Sequence, residues 1–363
     1  MSGLEQVAAA PSANGTGPPA RPADREVVLE MSHLSVDYGL GPTALHAVVD
    51  DNLTLHKGEV LGLAGESGSS KSTLVYGATR LLREPGVVAG GEVLLASRSG
   101  AAGARMDLLK ASERQLRAIR WSDISIVLQS ALNALNPVVP IGKEFDDILR
   151  AHSRLSRKER RAKAEKLLSM VGIPPARLGD HPHELSGGQR QRVMIALALA
   201  LEPQVVIMDE PTTALDVVTQ REILEELVGL RDELGFALLF ITHDLSLLIE
   251  LADEIAVMYA GRIVERAPAA ALYRAPRHPY TLGLLHSFPP LHGEVGPMTG
   301  IPGSPPDLAA VPSGCAFHPR CPYALERCAR QVPLLGELEG SGREVACFLH
   351  GGELSVPVEL AVS

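Results

Sequence analysis

The sequence predicts an α/β protein built on a parallel sheet, followed by a second, smaller unit after residue 288. Three observations lead there. Residues 59–64 form an apolar run that feeds a Gly- and Ser-rich loop, and Ser72 onward reads as a helix. This is the strand–loop–helix order of a crossover unit. Residues 205–208 and 237–242 are short apolar runs bounded by Pro203 and Gly235, lengths that suit central strands covered on both faces. After Phe288 the composition changes to Pro, Gly and Cys, and a domain boundary is placed there.

A length of 363 residues allows one large domain plus a small one. With 45% hydrophobic and 21% charged residues the chain reads as an ordinary globular protein, and its net charge of −9 argues against free nucleic acid as a partner. The longest apolar runs, such as residues 193–201, are far too short to cross a bilayer. Residues 1–25 are Ala-, Pro- and Gly-rich, lack the apolar centre of a signal peptide, and are expected to form a disordered tail. The chain is therefore expected on the cytoplasmic side, with any membrane role exerted through a partner.

Regular structure is expected to begin near Val27, with short strands over residues 27–31 and 33–38. Residues 97–105 are small and Gly-rich and read as a surface loop. A basic helical segment covers residues 150–170, and Ser156 with Glu159 forms a capping box at its start. Its charges read as a solvated face rather than a nucleic-acid patch. The next helix, over residues 188–201, is apolar nearly all round and should be buried.

The loop Gly65-Glu66-Ser67-Gly68-Ser69-Ser70-Lys71-Ser72-Thr73 carries the first chemistry. Successive backbone N–H groups at a helix N-terminus cradle phosphate. Lys71 should reach the β- and γ-phosphates, Ser72 should place its hydroxyl on Mg²⁺, and Thr73 can add a phosphate contact. The usual pattern is G-x-x-x-x-G-K-[ST], and Ser70 departs from it. If the backbone there needs positive φ, Ser costs about 1–2 kcal/mol; if glycine serves only close approach, an outward Ser is tolerable.

Residues 205–210 form an apolar strand ending in Asp209 and Glu210. Asp209 would hold Mg²⁺ through water, and Glu210 would polarise the attacking water. His243 ends the next apolar run and would face the γ-phosphate. Phosphoryl transfer is mostly positioning and charge stabilisation, which suits this set. Gln129 follows the apolar run 124–128 and could touch Mg²⁺ or the attacking water. Tyr38 is placed to stack on adenine, with packing as the competing reading.

The segment Leu185-Ser186-Gly187-Gly188-Gln189 lies ahead of that acidic pair and narrows the field. Together these residues resemble the ATP-binding subunits of ATP-binding-cassette (ABC) transporters over residues 27–288. The match comprises Walker A (65–73), the glutamine loop (Gln129), the signature (185–189), Walker B (205–210), the D-loop (214–216) and the switch histidine (His243). The resemblance implies an ATPase with an antiparallel β subdomain and a helical subdomain over about 130–190. It also implies that Ser186, Gly187, Gly188 and Gln189 act on ATP held by a different subunit, with Asp216 coupling the two sites.

A closer resemblance is to the dipeptide/oligopeptide/nickel importer branch. It rests on residues 129–137, on His278-Pro279-Tyr280-Thr281, on Ile301-Pro302-Gly303-Ser304-Pro305-Pro306 and on Cys315-Ala316-Phe317-His318-Pro319-Arg320-Cys321-Pro322. In that branch two different ATPase subunits pair beneath two transmembrane permease subunits fed by an extracytoplasmic substrate-binding protein. This implies a peripheral location on the cytoplasmic face of the cell membrane. A non-transport ABC ATPase and a catalytically weak regulatory subunit are the other readings.

The only cysteines are Cys315, Cys321, Cys328 and Cys347. In a reducing compartment such a cluster reads as a metal site rather than two disulfides. Four thiolates suit a [4Fe–4S] cluster or tetrahedral zinc, with free thiols or a disulfide as the remaining reading. The resembled branch has members with an iron–sulfur cluster at such a site, which favours the first. The cluster is expected to staple a unit, residues 289–363, too poor in apolar residues for a large core.

Overall fold

The computed structural model describes residues 25–98, 103–128, 135–212, 215–287, 300–338 and 340–350. Its strands in chain order are β1 (Val27–Tyr38), β2 (Leu45–His56), β3 (Val60–Ala64), β4 (Gly86–Ala96), β5 (Arg105–Asp107) and β6 (Ile124–Val127). They continue with β7 (Val205–Asp209), β8 (Ala237–Ile241), β9 (Glu254–Tyr259), β10 (Arg262–Pro268), β11 (Gly336–Leu338) and β12 (Arg343–Val345). The α-helices among the described residues are α1 (Lys71–Ala78), α2 (Glu113–Ile119), α3 (Ile141–His152), α4 (Arg157–Met170), α5 (Gly187–Ala198), α6 (Val217–Leu234), α7 (Leu245–Leu251), α8 (Ala269–Arg274) and α9 (Pro279–His286).

A small antiparallel sheet has the order β2-β1-β4-β5, and a large one the order β11-β12-β10-β9-β3-β8-β7-β6. In the large sheet β9, β3, β8, β7 and β6 run parallel. The runs expected over 27–31 and 33–38 are a single strand, β1. His33 takes φ 52° there and the register against β2 shifts between Met31 and Leu34, so a bulge interrupts the alternation without ending the strand.

Every residue of β3, β7 and β8 is buried, and the side-chain period of two divides them between two cores. Val205, Ile207, Leu239 and Ile241 face the small sheet and α1. Val206, Met208, Leu238 and Phe240 face α3, α4 and α5. Covering both faces is what makes these strands apolar throughout.

Helix α3 buries Ile141, Phe145 and Leu149, one face at i, i+4, i+8. Helix α4 opens on the expected Ser156–Glu159 capping box and buries Ala164, Leu167 and Leu168. Arg160 Nε donates to Asp146 at 2.6 Å and ties the two helices together.

Residues beyond 300 dock on the main sheet. Strand β12 pairs with β10 through Glu265–Val345 and Arg266–Glu344, and β11 pairs with β12. Arg343 reaches the buried Glu265 at 3.2 Å, and Phe317 joins the core beneath the sheet. Among the described residues no helix is long and apolar enough to cross a membrane.

Candidate functional site

Strand β3 runs directly into the Gly/Ser loop and α1 follows it, as the sequence predicts. Gly65 admits no side chain: a Cβ there would lie 2.3 Å from the Met258 carbonyl oxygen. Ser70 has φ 78° and ψ 19°, the left-handed region, and its side chain makes no capping bond to α1. The departure from glycine therefore falls where positive φ is required, and the strain of about 1–2 kcal/mol applies.

Lys71 is buried, and its Nζ donates to Gly65 O at 2.8 Å, Glu66 O at 2.9 Å and Ser69 Oγ at 3.4 Å. Burial lowers its pKa, while the carboxylates of Glu210, Asp209 and Glu66 pull the other way. Ser72 Oγ donates to Asp209 Oδ1 at 2.9 Å, and Tyr76 OH donates to Asp209 Oδ2 at 2.7 Å. Burial pushes the fully buried Asp209 carboxyl up, and the Tyr76 and Ser72 hydrogen bonds oppose it. Tyr76 belongs to none of the sequence motifs. Its signal was available, because it lies four residues after Ser72 and so on the same face of α1.

Glu210 follows β7 with φ 46°, and its backbone N–H donates to Ile241 O. His243, two residues past β8, lies 3.3 Å from Glu210 Oε1 through Nδ1. Lys71, Ser72, Asp209, Glu210 and His243 thus gather at the C-terminal ends of β3, β7 and β8, where open parallel sheets bind ligands. Tyr38 ends β1 with its hydroxyl 3.4 Å from Thr73 Oγ1, against the first turn of α1. Gln129 and Ala214 lie outside the described residues.

The signature segment is a helix start. Ser186 caps α5: its Oγ accepts from Gln189 N at 3.2 Å, and Gln189 Oε1 accepts from Ser186 N at 3.0 Å. Ser186 is exposed, so the N-terminal end of α5 opens to solvent. Gly188 is sterically required, since a Cβ would meet Thr219 Cγ2 at 2.8 Å. Asp216 caps α6 through Thr219 N at 3.0 Å and Thr219 Oγ1 at 2.8 Å. Those two bonds hold its carboxyl below the ordinary aspartate value.

Cys315, Cys321, Cys328 and Cys347 are all free thiols lining one small pocket with His278 and Phe317. As these side chains stand, they do not form the expected metal site. Among the described residues no three His, Cys, Asp or Glu side chains are placed to share an ion. The pocket holds about 20 Å³, close to the room one water needs. Burial pushes the Cys315 thiol up, Cys321 to about 11 and Cys347 to about 12. The spacing brings four sulfurs to one place without making a coordination shell.

Residues 48–213 match the model of the ABC transporter family, and residues 264–328 match that of the oligopeptide/dipeptide transporter C-terminal region. The phosphate loop, the acid pair Asp209–Glu210 at the end of β7 and the serine-capped signature helix belong to that class: this is an ABC ATPase. A peptide import ATP-binding protein of Brucella melitensis is 44% identical over 324 residues, covering 86% of this chain and 95% of that protein. A like-named protein of Brucella abortus is 43% identical over 322 residues, 88% of this chain and 94% of its own. The chain belongs to the ATP-binding subunits of ABC transporters, in the oligopeptide/dipeptide group.

Solved structures agree on the fold. A bacterial ABC transporter cassette in dimeric form aligns with TM-score 0.57 at 27% identity, covering 66% of this chain and 98% of that one. A component of an ABC transporter complex from Clostridium perfringens gives the same TM-score and identity over 69% of this chain and 91% of its own.

Proposed function

We propose that this chain hydrolyses ATP to power the import of peptides or similar small solutes. The observation that carries the reading is the gathering of Lys71, Ser72, Asp209, Glu210 and His243 at the C-terminal ends of β3, β7 and β8. The peptide-import names of the relatives support the solute class. In this reading the loop 65–73 binds the triphosphate, Lys71 turns from its backbone acceptors to the β- and γ-phosphates, and Tyr38 stacks on adenine. Ser72 and Asp209 fit Mg²⁺, since their oxygens already lie together and the carboxylate is buried; Gln129 completes the set. The ion would neutralise phosphate charge. Glu210 orients the attacking water, and His243, held beside it, meets the γ-phosphate.

The exposed, capped end of α5 supports a role in trans, in which Ser186, Gly187, Gly188 and Gln189 contact nucleotide bound by a second ATPase subunit. Asp216, at the start of α6, couples the two sites. The dimeric cassettes among the solved neighbours support such pairing for those proteins. A heterodimer, two permease subunits, an extracytoplasmic binding protein and a peripheral place on the cytoplasmic face complete the proposal. With one Ser70-containing loop in a heterodimer, the two composite sites would differ.

The 1–25 tail, the 26–288 nucleotide-binding unit and the 289–363 C-terminal unit are retained as the proposed domain division. For the cysteines, the shared pocket is the one feature favouring a [4Fe–4S] cluster or zinc, and loading would require the four side chains to converge. Iron, sulfide and zinc analysis of anaerobically purified protein tests that point. The function itself is tested by reconstituting the co-purified complex in vesicles. ATP-dependent peptide uptake supports the proposal, and ATP turnover with no peptide uptake or peptide stimulation refutes the solute class.

A further inference from the structure

The loop that holds the phosphates is itself held from outside the cassette motifs. Arg320 lies in the short turn His318–Arg320, 254 residues from Glu66 in the chain, and is 8% exposed. Its Nη1 donates to Glu66 Oε2 at 2.7 Å and its Nη2 to Glu66 Oε1 at 3.0 Å. This is the two-pronged geometry that gives arginine–carboxylate pairs both strength and direction. The guanidinium is fixed in turn. Nε donates to Pro302 O at 2.8 Å, and Nη1 lies 3.3 Å from Tyr259 OH. Phe317 packs edge-on to Tyr259 with ring centres 5.3 Å apart.

A second anchor reaches the same residue. The Glu66 backbone N–H donates to Tyr280 OH at 2.7 Å, from a tyrosine fully buried on α9. The Glu66 carbonyl meanwhile accepts from Lys71 Nζ. Side chain, amide and carbonyl of one loop residue are therefore all engaged, two of them by residues after 264.

Glu66 poses an electrostatic problem. It places a carboxylate in a loop built to receive a polyanion, and a like charge so near weakens phosphate binding. Pairing with Arg320 neutralises that charge and fixes both of its oxygens. Arginine suits the task better than lysine because its fork fixes both oxygens.

We propose that Arg320 is a positioning residue of the ATP site, setting nucleotide affinity by neutralising and anchoring Glu66. The C-terminal region thereby acts directly on the phosphate loop. The inference rests on the assignment of residues 65–73 as the ATP loop.

The test is ATP titration of the full-length chain, with KM and kcat for ATP in the assembled complex. Arg320→Met, which keeps the stem but not the charge, is expected to raise Kd and KM about tenfold with a much smaller change in kcat. Arg320→Lys should raise them about threefold. Adding Glu66→Gln to either variant should recover most of the lost affinity, because the charge needing a partner is gone; a purely packing role for Arg320 would show no such rescue. Unchanged affinity, or a loss that Glu66→Gln leaves in place, overturns the proposal. Arg320→Lys carries the test if Arg320→Met fails to fold. Lys71→Ala separates the two levels: if it binds ATP as wild type does, the loop assignment fails and the proposal with it.

Discussion

Replacing Ser70 by glycine should stabilise the protein. Ser70 sits at φ 78°, ψ 19°, a conformation that costs an L-residue about 1–2 kcal/mol and glycine almost nothing. Against this, glycine gives the unfolded chain more freedom, worth about 0.4–1 kcal/mol. The serine hydroxyl makes no capping bond that would be lost. The net gain is therefore about 1 kcal/mol, or about 2–4 °C in Tm at this scale of domain. Thermal unfolding of the full-length chain without nucleotide measures it, with Ser70→Ala as the control. Alanine keeps the φ strain and removes only the hydroxyl, so it should melt close to wild type. If Ser70→Gly melts no higher than Ser70→Ala, the strain argument is wrong.

Three further outcomes follow from the geometry. Tyr76→Phe removes the donor to Asp209 Oδ2; since that bond lowers the Asp209 pKa, turnover should fall about tenfold and the acidic limb of its pH profile should move to higher pH. Gly188→Ala forces a Cβ to 2.8 Å from Thr219 Cγ2 and should destabilise by about 1–3 kcal/mol, measured by denaturant unfolding, with Thr219→Ser recovering part of the loss by removing that methyl. Asp51 is buried, accepts from Ile263 N at 2.8 Å through Oδ1 and leaves Oδ2 unpartnered. Burial raises its pKa from 3.8 to about 7. The folded state then binds the extra proton, so this group's stabilisation is lost as pH rises from about 4 to 7. Asp51→Asn should flatten that decline and raise Tm at pH 8; an unchanged pH dependence would show that Asp51 is not its source.

Most of the candidate nucleotide site was legible in the sequence because it depends on local order. The apolar runs before Gly65 and Asp209 are buried on both faces, so their composition alone marks them as strands, and the loop follows within the same segment. Ser156 with Glu159 and Ser186 with Gln189 are capping boxes, contained in four residues each. What escaped was long-range. Nothing near Arg320 announces a partner 254 residues away. Strands β11 and β12 are three residues each, too short to show a period, and exist by pairing, β12 with β10 and β11 with β12. The bulge at His33 hid one strand as two. The cysteine spacing foretold that four thiols would meet, but not that their side chains stop short of a coordination shell. Spacing constrains the backbone path and leaves side-chain convergence open.

The central claim is that Glu210, set beside His243 at the end of β7, orients the water that attacks bound ATP. Single-turnover hydrolysis by Glu210→Gln in the assembled complex tests it most directly, with ATP affinity measured on the same sample. The amide keeps the shape and loses the charge that polarises water. Hydrolysis should fall by at least about a hundredfold while ATP still binds. Turnover at the wild-type rate would contradict the assignment of this site.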